Sequence, residues 1–590
     1  MRTVLVSMPF MDIDRPSIQL GLLTAIGAEH GFAVRTLHAN LDLAARVGVD
    51  DYVRLAGHRS RLVGEWLFSV EAFGASAPDP SGTLLESPEL PLPPERLRHI
   101  RDHEVPAFLD ALLLAEPWHE VDVVGFSSTY QQNAASFGLA RRLKQRYPGI
   151  VTLFGGAKFD GEMGPELVRS VDCVDLAVVG EADTAFPAVL RALADGTDPA
   201  AVPGVVCRAG GAVSATPPAP PHDRLDELPA PDYTEYFDRL AALDLPRDTG
   251  WIPFESARGC WWGAKHHCTF CGLNGSTMAF RSKSPDRVRT ELALLARRHR
   301  SFRFAAVDNI LDPTYLTTLV PALADDGYQL FYEVKANLTR AQVRLLARAG
   351  VTHLQPGLES LSTNVLRLMR KGVRAAQNVN LLRWARYYGV DVAWSILCGF
   401  PGECETDYAG QALAAPHLVH LQPPASVDRI WLERFSPLFT TIPRRTPEAS
   451  YRLVYPSTVD LDRMAYFFDY DLPDALPDSA YESLRDAVSA WNTAWHTATL
   501  TYRSTPGFVQ IFDNRSPDGR GTYTFEGPLA DLYLACVDRP TTASAVRAKL
   551  GLTWPVEAVE EAFGEFGRRG LMFLDGNLAV ALALPAVPGR

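Results

Sequence analysis

The chain has 590 residues, enough for three or four domains that each bury a core of their own, which excludes a single-domain reading. Its formal charge of -12, from 57 Lys and Arg against 69 Asp and Glu, provides no basic footprint for a polynucleotide. Eight cysteines are few for a disulfide framework, no run approaches the roughly 20 apolar residues of a membrane span, and the start Met1-Arg-Thr-Val-Leu-Val lacks a signal-peptide core. These features predict a cytoplasmic protein with no nucleic-acid partner and no membrane partner.

In chain order, Thr3 to Met8 reads as a strand, Pro16 to His30 as a helix and Phe32 to Leu37 as a second strand. Asn40 to Trp118 is helical in patches, is interrupted by the Pro-rich Ser76 to Pro94, and reads as an insertion (about 43–118). Alternation then returns: Val121 to Phe126 strand, Ala134 to Arg146 helix, Ile150 to Phe154 strand ending in Gly155-Gly156, and Leu176 to Val179 strand ending in Gly180-Glu181. Residues 1–202 are therefore predicted to form a parallel, doubly wound, Rossmann-like sheet with its ligand at the C-terminal strand ends. A glycine pair after a strand is also what any tight turn uses.

Pro203 to Pro231 is turn-rich, and 203–249 reads as a linker. Phe254 to Gly259 opens the next domain, and behind it stand Cys260, Cys268 and Cys271 at C-x7-C-x2-C spacing with glycines on both sides. Three thiolates on one loop can hold three irons of a four-iron, four-sulfur cluster and leave the fourth iron open. Zinc competes, because Cys268 and Cys271 form a C-x2-C knuckle that Cys260 and His266 or His267 could complete. A second knuckle is missing nearby, since Cys398 and Cys404 lie more than a hundred residues on.

After the loop the helix and strand periods alternate again: Pro285 to Arg298 helix, Phe302 to Val307 strand, Leu316 to Asp325 helix, Leu330 to Val334 strand, Arg340 to Ala349 helix. His353 to Leu358 strand, a helix from Asn364, and strands over Val390 to Leu397 and Ile430 to Phe435 follow. Repeated β-α units predict a partial parallel (β/α)6 barrel over 250–440. Polar residues at strand ends are site candidates: Asp308, Asn309, Glu333, Lys335, Glu359, Ser360, and Glu403 after Gly399-Phe-Pro-Gly402. The stretch 441–526 carries no usable motif. Residues 527–590 read as three helices (Leu529 to Val537, Thr542 to Leu550, Val556 to Arg569) and a hairpin with Asp575-Gly576 at its turn. This is a winged-helix-like α+β module without a basic recognition helix.

The cysteine loop Cys260-Trp-Trp-Gly-Ala-Lys-His-His-Cys-Thr-Phe-Cys-Gly-Leu-Asn-Gly275 resembles that of radical S-adenosylmethionine (SAM) enzymes. More closely, it is similar to the cobalamin-domain members that mature ribosomally made, post-translationally modified peptides. Gly125 to Asn133, the glycine pair and Val179-Gly-Glu-Ala-Asp183 likewise look like the cobalamin-binding domain of that family. Several expectations follow from the resemblance. Cys260, Cys268 and Cys271 ligate a 4Fe-4S cluster, and Phe270, Asp308, Glu333, Glu359 and Ser360 contact SAM. Ser127, Ser128, Tyr130, Gln131, Gly155, Gly156, Gly180 and Glu181 contact cobalamin, with Tyr130 and Gln131 nearest its lower face. No Asp-x-His-x-x-Gly stretch occurs, so cobalamin is expected base-off with no protein histidine on cobalt.

A precursor peptide as substrate, and an electron donor such as flavodoxin or ferredoxin, complete the implied set. The activity implied is radical C-methylation of an unactivated peptide carbon, the protein holding both cofactors against one substrate carbon. The alternatives are a non-methylating oxidation, rearrangement or cyclisation with the same cofactors, and a zinc-stabilised cobalamin-binding regulator. For the C-terminal module the resemblance implies capture of a peptide by strand addition, against a plain packing cap.

Overall fold

The computed structural model describes residues 1–209, 212–246, 250–275, 277–516 and 520–587. Its first sheet holds β1 (Arg2–Val6), β2 (Ala33–Leu37), β3 (Val123–Ser127), β4 (Val151–Gly155), β5 (Leu176–Val178), β6 (Val205–Ala209) and β7 (Ala212–Ala215), in the order β2-β1-β3-β4-β5-β6-β7. Pairings among β1 to β5 are parallel, and β6 and β7 add antiparallel at one edge.

Side-chain alternation covers both faces of this sheet. Leu5, Val123, Leu153 and Leu176 pack with Leu20, Phe186 and Val189 on one face. Val4, Val6, Phe126 and Phe154 pack with Phe137 and the insertion on the other. The insertion is a helical layer in which Tyr52, Trp66, Phe68 and Trp118 are buried. Its helix Val63–Phe73 places the buried Glu65 carboxylate on the N–H groups of Asn133 and Ala134 (3.1 and 2.6 Å), capping the helix Asn133–Arg146.

The second domain starts at β8 (Ile252–Phe254), β9 (Ala257–Arg258) and β10 (Arg281–Ser282), and continues through β11 (Arg303–Ala306), β12 (Gln329–Glu333), β13 (Val351–Gln355), β14 (Asp391–Val392), β15 (Ile396–Cys398) and β16 (Val427–Arg429). Strands β14, β13, β12, β11 and β8 form one parallel sheet. β15 and β16 pair in parallel beside it, joined through the Glu359 to Ile396 bridge. The result is a six-position open barrel, because β14 and β15 are one strand position broken at 393–395. The expected α/β architecture is therefore what the structure shows. The strand predicted over Ile430 to Phe435 is instead β16 followed by β17 (Leu432–Glu433), which turns away to join β18 (Arg445–Pro447) and β19 (Phe467–Tyr470). The predicted helix Leu316 to Asp325 shrinks to Leu319–Ala322, with Pro321 inside it and a 3-10 turn before it.

Helix starts follow side-chain caps. Ser17 accepts from Leu20 N, Ser284 from Arg287 N ahead of Pro285, and Thr339 forms a capping box with Gln342. The stretch without a motif yields a meander of β20 (Leu500–Thr505), β21 (Phe508–Asp513) and β22 (Gly521–Glu526). In the C-terminal module, helices Gly527–Ala535, Ala543–Leu550 and Val556–Arg568 pack with β23 (Thr541–Thr542), β24 (Met572–Asp575) and β25 (Leu578–Ala581), and β26 (Leu584–Pro585) returns to β20.

This module is locked to the barrel helix Ala375–Tyr388. The fully buried Arg383 donates to the carbonyls of Val537 (2.9 Å) and Ala583 (3.1 Å), and Trp384 Nε1 donates to Asp538 O (3.1 Å). Leu532, Phe563 and Phe566 are buried and Leu534 partly so. Phe566 packs edge-on to Phe525 and Tyr533, within the module and the adjoining meander.

Candidate functional site

The cysteine loop hangs from β9 by a glycine that no other residue replaces. Gly259 has φ +76°, and a Cβ there would stand 2.2 Å from Ala279 O. The seven residues between Cys260 and Cys268 coil into the short helix Gly263–His266, and two indoles pin them: Trp261 Nε1 to Leu311 O and Trp262 Nε1 to Arg370 O, both 3.0 Å. The far arm is held by Thr269 N to Met369 O (3.0 Å) and Gly272 N to Glu433 Oε2 (2.8 Å).

Cys260, Cys268 and Cys271 are free and half-buried. Burial raises the thiol pKa of Cys268, with Cys260 adding to it, and pushes that of Cys271 up to about 12, with Cys268 and Cys260 adding to it. Three half-buried thiols on one loop, beside Lys335 and Lys371, fit a multivalent cationic group that takes them as thiolates. The histidines of the zinc alternative face elsewhere. His267 Nε2 lies 2.8 Å from Cys271 O, and His266 packs on the Trp262 ring at 4.4 Å. Among the described residues no His, Cys, Asp and Glu are gathered tightly enough to hold a single ion.

Around the barrel mouth the strand-end candidates divide. Glu333 ends β12 half-buried, and burial with Asp308 and Glu359 nearby pushes its carboxyl up to about 7. Glu359, at φ +58°, sets Oε1 3.4 Å from Lys371 Nζ. Phe270 is edge-on to Phe400 at 6.0 Å, with Lys371 Nζ 5.8 Å from its ring. Lys335 stands 3.3 Å above the centre of Trp262 and donates to Lys371 O. A cavity of about 530 Å3 opens beside Glu359, lined also by Gln355, Gly357, Trp394, Ser395 and Gln422.

Other candidates lie beneath this surface. Asp308 is buried: its Oδ1 accepts from Ser256 N (2.8 Å) and Ala257 N (2.9 Å), and its Oδ2 accepts from the Ser256 hydroxyl. Ser360 is buried on Gln411 Oε1 (3.0 Å), and Asn309 bonds Asn274 Oδ1 (2.9 Å). Glu403 accepts from Gly399 N, Phe400 N and the hydroxyls of Tyr408 and Tyr481, bracing the Gly399 to Gly402 turn. Lys371 escaped the sequence reading because it sits in the turn Arg370-Lys-Gly372, with no strand end to mark it.

In the first sheet the order reverses between β1 and β3, and the crevice at that switch point carries most of the other candidates. Ser127 ends β3. Ser128 is buried, bonding Gly155 O through its N–H (2.8 Å), and a Cβ on Gly156 (φ +92°) would lie 2.6 Å from Ser128 O. Tyr130 is half-buried and edge-on to Phe467 at 5.4 Å. Gln131 has a different job from the one expected at the cofactor's lower face. Buried at φ +57°, it accepts from Gly64 N (2.8 Å) and donates to His58 O (2.6 Å), tying the crevice to the insertion.

Glu181 also has another partner. Its carboxylate takes Arg281 at 2.6 and 3.0 Å and His222 N at 2.9 Å, while Gly180 N bonds Asp160 Oδ1 (3.0 Å). Arg258 holds Asp183 (2.6 and 2.9 Å) and Glu255 (2.7 Å), so an ion network joins the first sheet to the barrel. Burial alone would raise Glu181 and Asp183; Arg281 and Arg258 outweigh it and hold both carboxyls low.

The two centres meet across the segment 430–470. Tyr466 donates to Gly272 O on the cysteine loop (3.1 Å), Glu433 accepts from Gly272 N, and Tyr466 and Phe467 present their rings to Lys158 of the crevice at 5.0 and 5.3 Å. A cavity of about 450 Å3 lies there, lined among others by Arg59, Arg61, Tyr130, Trp431, Phe467 and Tyr470.

An open six-position barrel carries the three-cysteine loop at its mouth, and the segment 430–470 joins that loop to the switch point of the doubly wound sheet. Residues 254–409, the stretch of the barrel and its cysteine loop, match the Radical SAM superfamily model. An uncharacterized methyltransferase of Pyrococcus horikoshii is 25% identical over 327 residues, covering 50% of this chain and 67% of that protein. The cobalamin-dependent radical SAM methyltransferase TokK of Streptomyces tokunonensis is 29% identical over 208 residues, covering 34% of this chain and 30% of that protein. Among solved structures, the radical SAM methyltransferase TsrM of Kitasatospora setae, determined with cobalamin and a 4Fe-4S cluster, superposes with TM-score 0.55 at 16% identity over 83% of this chain and 88% of that chain, a likeness of fold. The chain thus spans two thirds or less of the curated relatives described.

Proposed function

We propose that the protein is a cobalamin-dependent radical SAM methyltransferase that adds a methyl group to an unactivated carbon of a ribosomally made peptide. The observation that carries the reading is the junction at Gly272, where Glu433 and Tyr466 bind the cysteine loop while Tyr466 also faces the crevice at the ends of β3 and β4. Bound together, the cluster with SAM would supply a hydrogen-abstracting radical and methylcobalamin the methyl group.

The chain's own residues then have definite tasks. Cys260, Cys268 and Cys271 hold the cluster, and the indole pins of Trp261 and Trp262 fix the loop that carries them. Glu333, drawn up to about 7, offers a carboxyl partly protonated near neutrality, and the Glu359 and Lys371 pair offers opposite charges 3.4 Å apart. Together they suit a ligand with hydroxyls, an ammonium and a carboxylate, the polar inventory of SAM. Ser127, Ser128, Gly155 and Gly156 shape the cobalamin crevice, and because the sequence has no Asp-x-His-x-x-Gly stretch the cofactor is assigned base-off with no protein histidine on cobalt. An electron donor such as flavodoxin or ferredoxin reduces the cluster.

The peptide assignment is supported by β24, which pairs with β25 on one side only. Its other edge borders a groove of about 400 Å3 shared with Ser362, Thr363 and Asp407. Anaerobic reaction with candidate precursor peptides and SAM bearing a trideuteromethyl group tests the assignment. A product heavier by one labelled methyl supports it; 5'-deoxyadenosine formation with an unmethylated, oxidised or cyclised peptide refutes it.

A further inference from the structure

Lys158 is a buried cation that the described residues leave without a hydrogen-bond acceptor. It follows Gly155-Gly156-Ala157 past the end of β4, and Gly156 lets this loop cross directly over Ser128, whose carbonyl accepts the Lys158 backbone N–H (3.2 Å). The residue is 8% exposed. Its Nζ lies 5.2, 5.0 and 5.3 Å from the ring centres of Tyr130, Tyr466 and Phe467, rings brought together from the first sheet and from the segment that touches the cysteine loop. The nearby carboxylates are engaged elsewhere: Glu65 with Asn133 N and Ala134 N, Glu433 with Gly272 N. Ring faces attract the charge and give its N–H groups no acceptor, so the cage alone does not repay the loss of water around an ammonium.

The cage lies against the space where the two centres meet. Tyr130 and Phe467 belong both to it and to the wall of the 450 Å3 cavity, so the cage and that space share two rings. A corrinoid presents a largely apolar ring edged with amide carbonyls and carries a phosphodiester on its tail. Aromatic walls with cations beside them complement such an edge: the rings take the apolar surface, and Lys158, whose ammonium has no acceptor among the described residues where Arg61 and Arg429 bond Glu448 and Asp478, takes one oxygen. Lys158 sits on the loop of β4, at the strand ends where a doubly wound sheet binds its ligand, and away from the barrel mouth.

We propose that Lys158 is a corrinoid-binding residue, donating a hydrogen bond to an acceptor oxygen of the bound cofactor, either a rim amide carbonyl or the tail phosphate. The proposal rests on the cobalamin reading above. The test uses the full chain produced without corrinoid, titrated by absorbance with hydroxocobalamin and with cobinamide, which keeps the ring amides and lacks the nucleotide tail. Lys158→Met should weaken hydroxocobalamin binding tenfold or more with the melting temperature of the corrinoid-free protein unchanged or raised, and Lys158→Arg should stay within about threefold of wild type. Cobinamide weakened in parallel identifies a rim amide; cobinamide unaffected identifies the tail phosphate. Lys158→Met binding both corrinoids as tightly as wild type overturns the proposal, and Lys158→Ala gives the same reading should the Met variant not fold. A wild-type chain that binds neither corrinoid overturns the cobalamin assignment itself, which keeps the two failures distinct.

Discussion

At the cysteine loop burial raises the thiol pKa of Cys268 and Cys271, and neighbouring thiols add to it, so the loop favours a group that binds its cysteines as thiolates. Changing any one to Ala should abolish iron loading and SAM cleavage and leave cobalamin binding within about twofold, read by iron assay and absorbance. Retained 5'-deoxyadenosine formation by Cys260→Ala would refute the ligand assignment. Asp308 yields a prediction of a different kind. Folded, it keeps its proton up to about pH 7; unfolded, it releases it near 3.8. Its protonation thus stabilises the fold fully below pH 3.8, and that contribution is lost as pH rises through about 7. Asp308→Asn has no such loss, so its melting temperature relative to wild type should climb across that window; a constant difference would contradict the burial argument. Strand-end position alone made Asp308, Ser360 and Glu403 look like Glu333 and Glu359. What separates them is whether the side chain turns back onto backbone N–H groups and neighbours or out into the mouth, and a sequence period does not encode that turn. Gln131 likewise turns onto partners the sequence does not reveal, Gly64 and His58, far along the chain.

The seven-residue cysteine gap works as an element because Trp262 packs directly against Gly372. That glycine has φ +62°, and a Cβ there would meet the indole at 2.1 Å. Gly372→Ala should therefore displace the loop and cut SAM cleavage by more than tenfold while hydroxocobalamin affinity stays unchanged; undiminished cleavage would show that the gap does not depend on this contact. The ion network makes a second element-scale prediction. Arg258→Met strips Asp183 and Glu255 of their partner in a half-buried seam, at a cost of about 3–5 kcal/mol. Because Arg258 holds Asp183 low, the wild-type advantage should be full above the ordinary carboxylate range and vanish as pH falls through the lowered pKa of Asp183, as measured by denaturant titration. Most regular elements were readable from period and caps, among them the barrel positions of β11, β12, β13 and β14 with β15; β16 was not, the expected strand starting beyond it at Ile430. The antiparallel edge β6 and β7 was not, because it lies in a turn-rich stretch, and the break between β14 and β15 follows from a backbone bridge to Glu359 that leaves no periodic trace.

Across the whole molecule, the C-terminal module is structurally part of the barrel as well as a candidate peptide dock. Truncation to residues 1–526 would remove the carbonyls of Val537 and Ala583 from the fully buried Arg383 and the Asp538 carbonyl from Trp384. Such a chain should be poorly soluble or lose its cofactors; a soluble, fully loaded chain would contradict the docking described. The segment 430–470 makes one device of the two centres, touching the cysteine loop through Gly272 and the crevice through Lys158. Its role was hidden in the sequence because Glu433, Tyr466 and Phe467 carry no motif and gain meaning only from what they face. The most direct measurement of the central claim needs no identified substrate. The full chain, reconstituted anaerobically with iron, sulfide and cobalamin and then reduced, is given SAM with a trideuteromethyl group, and the products are quantified by mass spectrometry. The account predicts both S-adenosylhomocysteine with labelled methylcobalamin and 5'-deoxyadenosine; 5'-deoxyadenosine alone, with the cobalamin unmethylated, would contradict it.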